Sequence, residues 1–219
     1  MAFGIRDQSS PVFDIPALTR VAVLVVSVLV TAAMAAHLID FGVYDLRVRV
    51  MNAGLGTSPI AWVSPAAVLV AVGASALLAR GSRRWSIRAL PVALAIVLVL
   101  ASDHLGKSVP HWQILLLPPL GLALAVLWHV AANLHPSTGR VLRAGCLLLV
   151  IAFSLHVFGA PILRYVGVGV DTWAYQVKVA LKEGAEISGW MLIAFGITIA
   201  AVYETPGELI GRSRSSWAA

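Results

Sequence analysis

The chain has 219 residues, of which 59% are hydrophobic and 12% charged, where a soluble globular domain carries about 45–50% and about 25%. A mean hydropathy of +0.89 belongs to a chain that sets apolar side chains against lipid, which excludes a soluble domain, a disordered chain or a coiled coil as the main architecture. The formal charge of +6 comes from arginines clustered in short segments between apolar runs, a topological signal, so no nucleic-acid partner is expected.

Apolar stretches lie at about 19–39, 59–79, 89–105, 112–134, 143–163 and 185–204. Each approaches the roughly 20 residues that cross a bilayer in helical form. The predicted fold class is therefore all-α: a polytopic membrane protein, one domain over residues 1–219, built as a bundle of six transmembrane helices. The first stretch ends in Ala33-Met34-Ala35, which has the look of a signal cleavage site. Its apolar run over 21–39 is longer than a signal core, and it is read as a retained span. The third is the shortest, charge-free over 89–102 with Asp103 at its end.

Orientation follows from the basic residues, because cytoplasmic loops carry the excess. With the amino terminus inside, Arg6, Arg20, Arg80, Arg83, Arg84, Arg88, Arg140, Arg143, Arg212 and Arg214 fall on the inner side. Arg47, Arg49, Lys107, Arg164, Lys178 and Lys182 fall outside. Both termini are expected in the cytoplasm, and the expected location is a bacterial inner (plasma) membrane.

Two outer segments are longer than the rest. Residues 40–58 carry Gly54 and Gly56 near their end, with Pro59 directly after, which predicts irregular structure. In 164–184, Asp171 is a candidate cap for an outer interfacial helix over about 172–183. Val177, Leu181 and Gly184 form its apolar face, with Tyr175, Lys178 and Lys182 turned elsewhere. This helix is expected to enter the last span continuously or through a bend near Gly184. Pro118 and Pro119 predict a kink in the fourth span. Ala71, Ser75 and Ala79 form a small-residue stripe suited to close helix contact.

The histidines concentrate at one depth. His37, His104, His111 and His156 all fall toward the outer side, with Asp40, Asp103, Glu183 and Glu186 in the same layer. Charges at span ends are cheaply solvated, which is a sufficient account for several of these. His156 and Glu186 lie deeper and require partners. The functional expectation is an outward-facing His/Asp/Glu site supporting metal-assisted or proton-coupled chemistry on a small or lipidic molecule. In it His104, His156 and Asp103 are the candidate metal ligands, Glu183 and Glu186 the candidate catalytic bases, and His156 and His37 the candidate cofactor-holding imidazoles. A divalent metal is favoured as the cofactor over a single haem or chlorophyll-type pigment, because no second histidine pair exists for a di-haem arrangement. The alternative is a non-catalytic accessory subunit of a larger membrane complex, in contact with a pigment or lipid. Expected partners are the lipid bilayer and either partner subunits or further copies of the chain. Cys146, the single cysteine, lacks a second thiol, and no nucleotide-binding, serine-hydrolase or zinc-protease motif is present.

Overall fold

The computed structural model describes residues 14–56, 58–82, 85–100 and 112–203, and among these it contains helices, turns and loops but no strand. Helix α1 spans Ile15–Tyr44. The Asp14 carboxylate accepts the Ala17 amide at 3.2 Å, which satisfies one of the unpaired donors of the first turn. At its far end Asp45 and Leu46 turn left-handed, with φ of 51° and 60°. The amides of both return to the Asp40 carbonyl, closing the last turn.

A short 3₁₀ turn, Ile60–Trp62, leads into α2, Val63–Gly81. Ser58 opens it, its Oγ accepting the Ala61 amide at 3.2 Å. Helices α3, Trp85–Leu100, and α4, Trp112–Ala131, follow, and α4 runs helical through Pro118 and Pro119. Helix α5, Pro136–Ser154, passes through a π turn, Leu155–Gly159, into the short α6, Ala160–Tyr165. Helix α7, Trp173–Tyr203, completes the chain as described.

Among the described residues four helical rods are long and apolar enough to cross a membrane: Ile15–Tyr44, Ile60–Arg80, Pro136–Tyr165 and Trp173–Tyr203. Helices α3 and α4 contribute shorter apolar stretches, Ile87–Leu100 and Leu115–Ala131. Large apolar side chains stand exposed along the rods, including Val21, Leu24 and Val28 of α1, Leu69 of α2 and Leu147 of α5. Water would penalise such continuous apolar surface, and lipid accepts it. The chain is membrane-embedded.

Helix α7 is the centre of the packing, in contact with α5, α2 and α1, while α3 bridges α2 and α4, and α4 leans on α5. Its face toward α5 is cut away by glycine. A Cβ at Gly145 would stand 2.9 Å from the Gly189 carbonyl oxygen, and one at Gly189 would stand 3.0 Å from that of Gly145. Lipid tails are as apolar as leucine, so helices in a membrane associate through such close van der Waals packing and not through apolar burial. The pairs Leu142/Gly196, Leu149/Gly189 and Gly159/Lys178 keep one antiparallel register along α5, the π turn and α7.

The interfacial segment and the last span form one unbroken helix, the continuous one of the two expected arrangements. Its cap is corrected: Thr172, not Asp171, closes the first turn, its Oγ1 accepting the Tyr175 amide at 3.4 Å. Val177 and Leu181 face outward, 40% and 60% exposed, so the face carrying Lys182 is the inward one. The stripe in α2 is consumed inside the molecule, with Ala71 and Ser75 fully buried, and offers a partner nothing.

The glycine crossing makes a direct prediction. Gly145→Ala should lower stability by about 1–3 kcal/mol, the usual cost of overpacking. Gly73→Ala, where a Cβ meets nothing within 4 Å, should leave stability unchanged or raise it slightly. Thermal unfolding of both variants in detergent, side by side with the unaltered protein, measures the difference.

Candidate functional site

The site starts from a backbone irregularity. Pro161 has no amide to offer the carbonyl four residues earlier, and its ring crowds that carbonyl. The chain answers by widening into the π turn Leu155–Gly159, two residues before the proline. Such wide turns expose backbone and re-aim side chains, and they recur at functional positions. His156 sits in this one.

Opposite it, α7 carries a charged hub. The Lys182 ammonium lies 2.9 Å from Oε1 of Glu183 and 2.8 Å from Oε2 of Glu186. The three side chains are only 19%, 20% and 31% exposed. At this burial the pairing is a structural necessity, since an unpaired charge among apolar helices costs several kcal/mol by general estimates. Glu186 is one helical turn beyond Lys182, the spacing at which side chains on one helix meet.

Lys178 extends the same stripe by a turn. Its stem lies on Gly159 of the π turn, where a Cβ would stand 2.8 Å from the lysine Cε. Its ammonium lies 5.4 Å from the centroid of the Tyr175 ring. His156 is within electrostatic reach of Lys182, Glu186 and Lys178 together. The register of α5 against α7 sets His156 opposite Lys182. The assembly is thus two ammonium groups, two carboxylates and one imidazole, held between two helices in an otherwise apolar region. Within it the short contacts are those of Lys182 with Glu183 and Glu186, and His156 feels the charges of Lys182, Glu186 and Lys178.

A second polar node lies where α1 finishes and α7 begins. His37 and Asp40, one turn apart on α1, are 1% and 0% exposed. The His37 Nδ1 accepts the Ala53 amide at 3.3 Å, and Asp40 Oδ1 accepts the Val48 amide at 2.9 Å. Gln176 of α7 stands beside the His37 ring and gives its own Nε2 to the Val170 carbonyl at 2.9 Å. Nearby, Trp173 meets Phe41 edge-on, ring centroids 4.8 Å apart.

Of the residues singled out in the sequence, the structure brings His156, Glu183 and Glu186 to one place. It puts His37 in the second node, with Asp40 and the 45–56 segment. Asp103, His104 and His111 lie outside the described residues. Among the described residues no three histidine, cysteine, aspartate or glutamate side chains gather as a metal site. Sequence reasoning missed Lys182, whose four-residue spacing to Glu186 was the available signal. It missed Gln176 as well, which carries no motif. No family model, curated protein or solved structure matches this chain.

Lys182→Met should strand two carboxylates and reduce stability by about 1–3 kcal/mol, scaled down from a fully buried pair for the partial exposure. Adding Glu183→Gln and Glu186→Gln to that variant should recover most of the loss, because no charge is then left without its partner. Chemical unfolding of the single and triple variants in detergent checks both statements.

Proposed function

We propose that this is a six-span membrane protein of a bacterial inner membrane, with both termini in the cytoplasm, whose outward half houses a proton-exchanging site acting on a small or lipidic molecule. The observation that carries this reading is the Lys182 ammonium held between Glu183 and Glu186 and faced by His156 at the π turn. Ionisable side chains inside apolar spans are costly, and where they occur together they mark proton or ion pathways. The outward placement rests on the arginine-rich segments at the opposite end of the spans.

The roles follow from the chemistry of each group. Glu186 and Glu183 accept and return a proton at a carboxylate oxygen. His156 passes it at a ring nitrogen, imidazole being the side chain whose charge changes near neutral pH. Lys182 holds both carboxylates in place and balances their charge. Proton-coupled chemistry is favoured over metal-assisted chemistry because the ammonium already supplies, between the two carboxylates, the positive charge that a bound cation would bring.

The protein in lipid nanodiscs, titrated between about pH 8 and pH 5 and followed by infrared difference spectroscopy, should show a reversible protonated-carboxyl band. The band should vanish in the Glu183→Gln/Glu186→Gln double variant and shift its midpoint in His156→Asn. A carboxyl spectrum that stays constant over that range in the unaltered protein would rule the reading out.

A further inference from the structure

The second polar node contains two buried atoms whose hydrogen-bonding capacity is unused: Nε2 of His37 and Oδ2 of Asp40. The state of the ring is dictated by its neighbour. Because Nδ1 accepts the Ala53 amide, Nδ1 bears no hydrogen, and the proton of the neutral ring is on Nε2. Nε2 is therefore a buried donor without a well-formed bond, with the Gln176 side chain as its hydrogen-bonding neighbour, and it lies one helical turn from Oδ2, a buried acceptor without a donor. Unused polar atoms at 1% and 0% exposure are expensive and call for an explanation.

The segment from Asp45 to Gly56 forms a strap across the end of α1. Two of its amides, those of Val48 and Ala53, are held by side chains of that helix. Its first two residues adopt left-handed backbone conformations, unusual for leucine. Inside the strap, Asn52 Oδ1 accepts the Gly54 amide at 3.0 Å, and both Asn52 and Ser58 are buried beneath it.

We propose that the strap is a proton-operated latch, closed while His37 is neutral and released when the ring is protonated. A second proton on the ring goes to Nδ1, the atom facing the Ala53 amide. Donor then meets donor, and the anchor is lost. The Asp40 carboxylate, one turn away and in electrostatic contact with the ring, favours the imidazolium once it forms. Asp40 does not drive the change itself. A protonated carboxyl still offers its carbonyl oxygen to the Val48 amide, whereas a protonated imidazole has no acceptor left.

The groups facing the ring are Ala53 from the strap, Gln176 from α7 and Asp40 from α1, and Asp40 is the charged one among them. Asp45 and Arg47 of the strap pair with each other at 3.9 Å, with side chains 84% and 82% exposed. The closed form binds the ring in its neutral state alone, so the closed fraction falls as pH falls. This device is independent of the hub at Lys182 and stands whether or not that hub moves protons.

The test is amide hydrogen exchange of the whole protein in nanodiscs at about pH 8 and pH 5, corrected for the intrinsic pH dependence of exchange. Amides of Val48–Ala53 should lose protection about tenfold or more in acid, while those of Leu142–Leu149 keep theirs. His37→Asn places an acceptor at the Nδ1 position that cannot titrate, and the strap should then stay protected at both values. Asp40→Asn keeps the anchor for Val48 and removes the charge that favours the imidazolium, so release should require lower pH. Equal strap protection at the two values in the unaltered protein overturns the proposal. So does release in His37→Asn to the same extent as in the unaltered protein. If His37→Asn does not fold, release in Asp40→Asn that is indistinguishable from that of the unaltered protein overturns it as well.

Discussion

The rest of the structure depends on the contact between α5 and α7 at Gly145 and Gly189, where each backbone carbonyl lies where the other residue's side chain would be. Two helices that approach this closely can slide very little. Their register is fixed again by Gly196 against Leu142 and by Gly189 against Leu149. That register carries to the other end of the pair, where it sets His156 level with Lys182. In lipid, where burying apolar area between helices gains almost nothing over burying it in acyl chains, close backbone approach is the means by which such precision is achieved.

The rods that carry the polar layer are longer than a bilayer core requires. Helices α1 and α7 contain 30 and 31 residues, about 45 Å each at the helical rise, against a hydrocarbon core of about 30 Å. Lys182 is about two and a half turns from the start of α7, and His37 about two turns from the finish of α1. Both polar nodes therefore lie toward the same end of the rods and not at their middle. A charged hub there costs less than at mid-membrane and still feels its neighbours more strongly than it would in water. The π turn adds a local advantage, because a backbone already widened by Pro161 can seat the stem of Lys178 against Gly159.

Much of the fold was legible in the sequence, and the reasons for the gaps are physical. Long apolar runs announced α1, α2, α5 and α7 because a span needs length and composition more than any particular residue. The three-residue spacing of His37 and Asp40 placed them on one face, and both are buried. His156 and Glu186 were expected to share a site by depth alone, and the two helices do bring them within reach of one another. Helical periodicity also separated the face of α7 bearing Val177 and Leu181 from the one bearing Lys182. In a membrane the face bearing Val177 and Leu181 is free to meet lipid, and the face bearing Lys182 must turn inward. The strap was legible only as irregular structure, since its anchors are backbone amides, which leave no trace in side-chain identity.

Helix α7 makes the two nodes parts of one object. Gln176 reaches toward α1 from one side of the helix, and the stripe of Lys178, Lys182 and Glu186 faces α5 and the π turn from the other. Between these contacts the helix is unbroken, and it is seated on α1 by Gly184, where a Cβ would stand 3.1 Å from Met34 Cγ. The charges themselves do little to set this position, because long lysine and glutamate side chains tolerate shifts of an ångström that glycine contacts do not. The geometry of the hub is consequently decided by small residues beside it, Gly184 between its two glutamates and Gly189 less than a turn beyond Glu186. Charge supplies the chemistry of the helix pair, and the absence of side chains at these glycines determines where that chemistry is held.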